Sequence, residues 1–162
     1  MSGSNRFCVL VPTFDNPRTI RSVVLGARAH LDDVVVVDDG SGGEARRAAQ
    51  QLSDEGLARV VFRAKNRGKG AAMKTGFVAA REWGYSHVLQ VDADGQHDMN
   101  DVPRFLEVAR ANPEALVLGA PVFDASAPKI RLMGRKITQF LTHIETLDRV
   151  ITDPMCGSCQ RV

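Results

Sequence analysis

Short, unbroken apolar runs alternate with longer helical patterns along this chain, and that alternation leaves few folds open. FCVLV (7–11), VVVVDD (34–39), RVVF (59–62), HVLQV (87–91) and ALVLGA (115–120) read as strands. Helical patterns follow the first four, over about 17–31, 43–56, 69–83 and 100–111, with Asn100 or Asp101 as the cap of the last. The apolar runs are continuous rather than alternating, as expected where helices cover both faces of a sheet. The pattern therefore predicts an α/β fold with a mostly parallel sheet and right-handed crossovers.

The remaining totals exclude several classes. A length of 162 residues suits a single domain spanning 1–162 with its own core. A formal net charge of +2 creates no field that would attract nucleic acid. The opening MSGSNRFCVLVPTF has too short an apolar run for a signal peptide, and no run reaches the ~18 apolar residues of a membrane span. Three cysteines fit a reducing compartment better than a disulfide scaffold, so the expected location is cytoplasmic.

Two of the strands end in acid. VVVVDDGS supplies Asp38 and Asp39, and VLQVDADGQ supplies Asp92 and Asp94. In a parallel sheet these tips share the edge at which α/β folds bind ligands. If the chain stays extended beyond Val91, then Asp92, Asp94 and Gln96 point to one side. Oxygen-bearing side chains grouped in this way suit Mg2+ or Mn2+, and such a cation removes the repulsion among them. Acidic residues also cap sheet and helix ends without further function. His97 is either an additional ligand or a hydrogen-bonded neighbour of the site.

AKNRGKGAAMKTGF (64–77) opens the third helix with glycines among lysines and arginines. Such a turn can cradle phosphate through its backbone N–H groups. It matches neither the P-loop nor the dinucleotide fingerprint, because Met73 stands where each needs glycine. After the Pro- and Ala-rich loop at 120–129, an apolar stripe of Met133, Ile137, Phe140, Leu141 and Ile144 predicts a fifth helix. Its start carries Lys129, Arg131, Arg135 and Lys136, and the basic, amphipathic 129–147 stretch allows contact with a membrane surface. CGSC (156–159) lacks the second ligand pair of a zinc site. Cys8, His30, His87, His143, Trp83 and Tyr85 read as structural, and the final ITDPMCGSCQRV offers no clear closing element.

Taken in order, VPTFDNPRTI, VVVDDGS, NRGKGAAMKTGF and VDADGQHD resemble glycosyltransferase family 2, and within it the polyprenyl- or dolichol-phosphate sugar synthase-like branch. The resemblance runs from Phe7 to about Ser158. It implies a Rossmann-like, three-layer α/β/α GT-A fold, C-terminally truncated relative to the family. It also implies Pro12, Phe14, Val37 and Asp39 around the base and ribose, Asp92 and Ala93 against the nucleotide, and Asp94 and Gln96 at a Mg2+ or Mn2+ ion. Arg135, with Arg131 nearby, would meet the acceptor or a phosphate, and Asp153 would lie on the acceptor side. Asn16, Pro121 and the Cys159-Gln160 pair depart from the family pattern.

The activity so implied is metal-dependent transfer, with inversion, of a sugar from a nucleotide-sugar donor to a lipid phosphate such as a polyprenyl phosphate, or to a hydroxyl. A hydroxyl acceptor needs a carboxylate base, for which Asp153 is the candidate and Asp124 the reserve. The alternative is a nucleotide-binding domain without turnover. A sugar nucleotidyltransferase fits less well, since PTFDNPRT is not a Gly/Arg-rich loop.

Overall fold

The computed structural model describes residues 5–119 and 158–162, the side chains of 158–161 excepted. The chain divides into two compact units, Met1–Val117 with Gly157–Val162, and Leu118–Cys156. The helix expected over 129–147, with Arg131 and Arg135, and the residues Asp124, His143 and Asp153 lie outside the described residues.

Strand β1 (Phe7–Thr13) sits at the centre of the first unit, between β2 (Val34–Asp38) and β4 (His87–Gln90), and is parallel to both. Strand β3 (Arg59–Phe62) extends the sheet beyond β2, also in parallel. With β5 (Val117–Leu118) and β6 (Ser158–Arg161), the strand order is β3-β2-β1-β4-β6-β5. The β6 strand closes on β4 in the antiparallel sense, with Val88 opposite Gln160. No closing element was expected at this end of the chain.

Helices cover both faces, which explains the unbroken apolar runs. On one face Val9, Val11, Val34, Val36 and Leu89 meet α1 (Ile20–Arg28), Leu52 of α2 (Gly43–Asp54), and Val102, Leu106 and Ala109 of α4 (Val102–Ala111). On the other, Cys8, Leu10, Val35, Val37 and Val88 meet Ala72, Met73 and Ala80 of α3 (Lys69–Glu82). Every residue of β1 and β2 is buried. Each fully buried valine or leucine contributes about 1.5–3 kcal/mol relative to exposure. In α1 the buried residues Ile20, Val23, Val24 and Ala27 recur at helical spacing and form a single stripe.

One glycine sets the height of α3 above the sheet. A Cβ at Gly76 would lie 2.4 Å from Leu10 Cδ1, so only glycine allows the helix to approach β1 this closely.

Several boundaries differ from the sequence reading. The α4 helix is preceded by a 3-10 turn, Met99–Asp101, and the capping side chain is Asp98, which accepts a hydrogen bond from the Asn100 N–H at 2.9 Å. Neither Asn100 nor Asp101 makes a side-chain cap to α4. His87 is structural as expected: it is buried, stacked on Phe7 at 4.5 Å, with Nε2 3.0 Å from the Pro113 carbonyl oxygen. Tyr85 donates to Asp33 at 2.7 Å; burial first, and this hydrogen bond second, push its phenol up to about 12.

Candidate active site

The loops leaving β1, β2, β3 and β4 at their C-terminal ends enclose a cleft of about 320 Å3. Pro12, Thr13, Phe14 and Asn16 contribute from the end of β1, and Asp39 from the tip of β2. Asn66, Gly68, Lys69 and Ala72 contribute from the glycine-rich turn and the first turns of α3. Asp92, Ala93 and Asp94 contribute from the turn after β4. Acidic strand tips therefore face the start of a helix, where a lysine and the positive end of the helix dipole lie.

Six of the residues singled out in the sequence share this cleft: Pro12, Phe14, Asp39, Asp92, Ala93 and Asp94. Val37 does not line it; its side chain is fully buried in the core beneath α3. Gln96 is exposed and lies outside the lining. The expectation that an extended chain aligns Asp92, Asp94 and Gln96 is corrected. The β4 strand ends at Gln90, the chain turns through 93–95, and Gly95 takes a φ of 76°. That turn brings the Gln96 N–H to Asp94 Oδ1 at 2.9 Å.

The two acids at the tip of β2 have separate tasks. Asp38 is buried; it accepts from the Ser41 N–H at 3.3 Å and from Arg46 Nη1 at 3.4 Å, which organises the loop into α2. Asp39 forms the cleft wall. Its carboxylate, 3% exposed, pairs with Arg63 and accepts from the Arg67 N–H at 3.2 Å. Sequence reasoning did not single out Arg63 or Lys69. Both sit in basic surroundings, and their partners are 24 and 23 residues away.

Asp92 is the most heavily engaged carboxylate. Lys69 Nζ lies 2.6 Å from its Oδ1, Gln90 Nε2 donates to that oxygen at 3.2 Å, and His97 Nε2 stands 3.7 Å from Oδ2. Burial opposes the charge on Asp92, but His97 and Lys69 outweigh it and hold the carboxyl well below the usual range. The same pairing with Asp92 raises His97 above its ordinary value, against the effect of burial. His97 thus sits beside the acids, paired with Asp92.

A divalent cation fits this donor set in one manner. Among the described residues, no three His, Cys, Asp or Glu side chains converge as a ready-made cage. Asp94 presents an exposed carboxylate to the cleft, with one oxygen accepting from its own turn. Mg2+ and Mn2+ are commonly held by one or two carboxylates together with substrate phosphates, and Asp94 suits that arrangement.

Comparison with known proteins identifies the family and the fold. The family described as Glycosyl transferase family 2 matches residues 8–159. Polyprenol monophosphomannose synthase of Mycolicibacterium smegmatis is 30% identical over 119 residues, 70% of this chain and 44% of that protein. Undecaprenyl-phosphate mannosyltransferase of Micrococcus luteus is 30% identical over 118 residues, 71% of this chain and 48% of that protein. The chain thus spans about half the length of these relatives. Glucosyl-3-phosphoglycerate synthase of Mycobacterium tuberculosis, solved with Mn2+, UDP and glucosyl-3-phosphoglycerate, superposes with a TM-score of 0.72 at 18% identity, covering 98% of this chain and 57% of that one. That likeness establishes the GT-A fold. The chain therefore belongs to glycosyl transferase family 2 and is similar, within it, to the polyprenol-phosphate sugar synthases.

Proposed function

We propose that this chain binds a nucleoside-diphosphate sugar and transfers the sugar, with inversion, to a polyprenyl phosphate or a related acceptor. One observation carries the reading: Asp39, Asp92 and Asp94 on one side and Lys69 with the start of α3 on the other line a single cleft at the carboxyl edge of the sheet. The relatives named for polyprenol and undecaprenyl-phosphate substrates support the choice of acceptor.

Pro12 and Phe14 flank the base, Asp39 receives the ribose, and Asp92 with Ala93 borders the nucleotide. Asp94 would hold a Mg2+ or Mn2+ ion together with the donor's phosphate oxygens. When bound, that ion supplies Lewis acidity toward the departing nucleoside diphosphate. Lys69 adds a fixed positive charge where negative charge develops on the leaving group. Direct displacement from the opposite face of the sugar accounts for inversion. A lipid phosphate, whose second pKa is about 6, is mostly ionised at neutral pH and needs no base. In that case Arg135 orients the acceptor; with a hydroxyl acceptor, Asp153 takes the proton.

The test is release of nucleoside diphosphate from UDP- and GDP-sugars by the protein, with polyprenyl phosphate present and with or without Mn2+. Mn2+-dependent release that disappears in Asp94→Asn is expected. Nucleotide binding without release under any of these conditions would support a binding domain instead.

A further inference from the structure

The start of α1 contains a residue used against its local habit. Thr19 occupies the N-cap position, where a threonine side chain ordinarily accepts a hydrogen bond from a backbone N–H of the first helical turn, a contact whose loss costs about 1 kcal/mol. Here the side chain makes no such cap. Its hydroxyl instead donates to the carbonyl oxygen of Ala93 at 2.6 Å, 74 residues away in sequence. Ala93 is 4% exposed and lies between the two acids of the cleft turn. The turn also passes near Thr19 further along: a Cβ added at Gly95 would stand 3.8 Å from Thr19 Cγ2. About two helical turns later, Gly26 leaves room for Met99, whose Cγ lies 2.8 Å from where a Cβ at that position would be.

We propose that Thr19 is a positioning residue for the donor site: its hydroxyl holds the Ala93 carbonyl, and this fixes the direction in which the Asp94 carboxylate enters the cleft. This rests on the donor-site reading above. Ala93 is buried and its carbonyl takes the Thr19 hydroxyl as donor across a part-buried contact, so removing the hydroxyl deprives that oxygen of its partner. The turn can then recover hydration only by opening. An opened turn loses the hydrogen bond between the Gln96 N–H and Asp94 Oδ1 and lets the carboxylate swing. Helix α1, anchored to the sheet through Ile20, Val23, Val24 and Ala27, acts as the rigid support.

The experiment compares the wild-type chain with Thr19→Val, which keeps the shape and loses the hydroxyl, with Thr19→Ser, which keeps the hydroxyl, and with Thr19→Ala in case valine is not accommodated. Amide hydrogen exchange is read at Gln96 and along α1, and Mn2+ uptake is titrated in the presence of UDP and of GDP. The expected result for Thr19→Val and Thr19→Ala is about tenfold faster exchange at Gln96, of the order of one lost hydrogen bond. Mn2+ uptake should weaken by a similar factor, α1 exchange should stay unchanged, and Thr19→Ser should behave as wild type. Wild-type exchange at Gln96 in the valine and alanine variants overturns the proposal, as does a serine variant as impaired as the valine one. If the wild-type chain takes up no Mn2+ with either nucleotide, the donor-site reading fails, while exchange at Gln96 still decides the role of Thr19.

Discussion

Helix α3 carries two glycines whose surroundings differ, and replacing each with alanine measures how tightly the helix that bears Lys69 is seated. At Gly76 an added Cβ would stand 2.4 and 2.6 Å from the two Leu10 methyl carbons. Leu10 is fully buried in β1, opposite Gln90 of β4, and cannot yield without moving its neighbours. Overpacking of this kind costs about 1–3 kcal/mol. Alanine returns about 0.8–1.0 kcal/mol through its better helix propensity. Gly76→Ala should therefore be destabilised by up to about 2 kcal/mol net, up to several degrees in melting temperature at about 2–4 °C per kcal/mol, and should lie about 1–3 kcal/mol below Gly70→Ala, where the propensity gain cancels. At Gly70 no atom lies within 4 Å of the added Cβ, so only the propensity gain operates. Gly70→Ala should leave stability unchanged or raise it by up to about 1 kcal/mol. Urea denaturation followed by circular dichroism, run on both variants, reads the difference directly. If Gly76→Ala is as stable as Gly70→Ala, the close seating of α3 on β1 is refuted.

Two further outcomes follow from the cleft. Arg63→Met should lower stability by about 3 kcal/mol or more, because it strands the buried Asp39 carboxylate without its guanidinium partner; a wild-type thermal melt would contradict this. Because Asp92 raises the folded pKa of His97, their pairing stabilises the fold below about pH 6.5 and is lost as pH rises through the raised value. Asp92, held low, acts at the other end: its contribution is present above about pH 3.9 and disappears as pH falls through its depressed value. NMR titration of His97 should give a midpoint above ~6.5 that drops in Asp92→Asn, and an unmoved midpoint would remove the pairing.

The centre of the parallel sheet was readable because burial on two faces writes itself as continuous apolar runs in β1 and β2, and RVVF matches β3 residue for residue although that strand is only partly buried. The acids at the strand tips were readable for the same reason, since a charged residue at the end of such a run has only the sheet edge to occupy. The extended path to Gln96 was misjudged although the signal was there. Asp94-Gly95 is a turn dipeptide, and Gly95 adopts a conformation that few other residues take. The β6 strand was invisible for a different reason. SCQR has no apolar periodicity, and its partner β4 lies far away along the chain, so only tertiary pairing makes it a strand. The pairings of Lys69 with Asp92 and of Arg63 with Asp39 are of the same kind. Local sequence specifies that these residues are charged, and packing decides which of them meet. Thr19 carried a signal of helix capping, and the structure gives its hydroxyl to the neighbouring loop instead.

The central claim is that the acidic turn and the start of α3 form one site in which a divalent cation and a nucleoside diphosphate assist each other's binding. Calorimetric titration of UDP and of GDP into the wild-type chain and into Asp94→Asn, each with and without Mn2+, tests it most directly. For at least one nucleotide, Mn2+ should tighten binding to the wild type by about tenfold or more, roughly 1.4 kcal/mol of coupling, and should do nothing for Asp94→Asn. Equal affinity with and without Mn2+ in the wild type, or an undiminished Mn2+ effect in Asp94→Asn, would contradict the account.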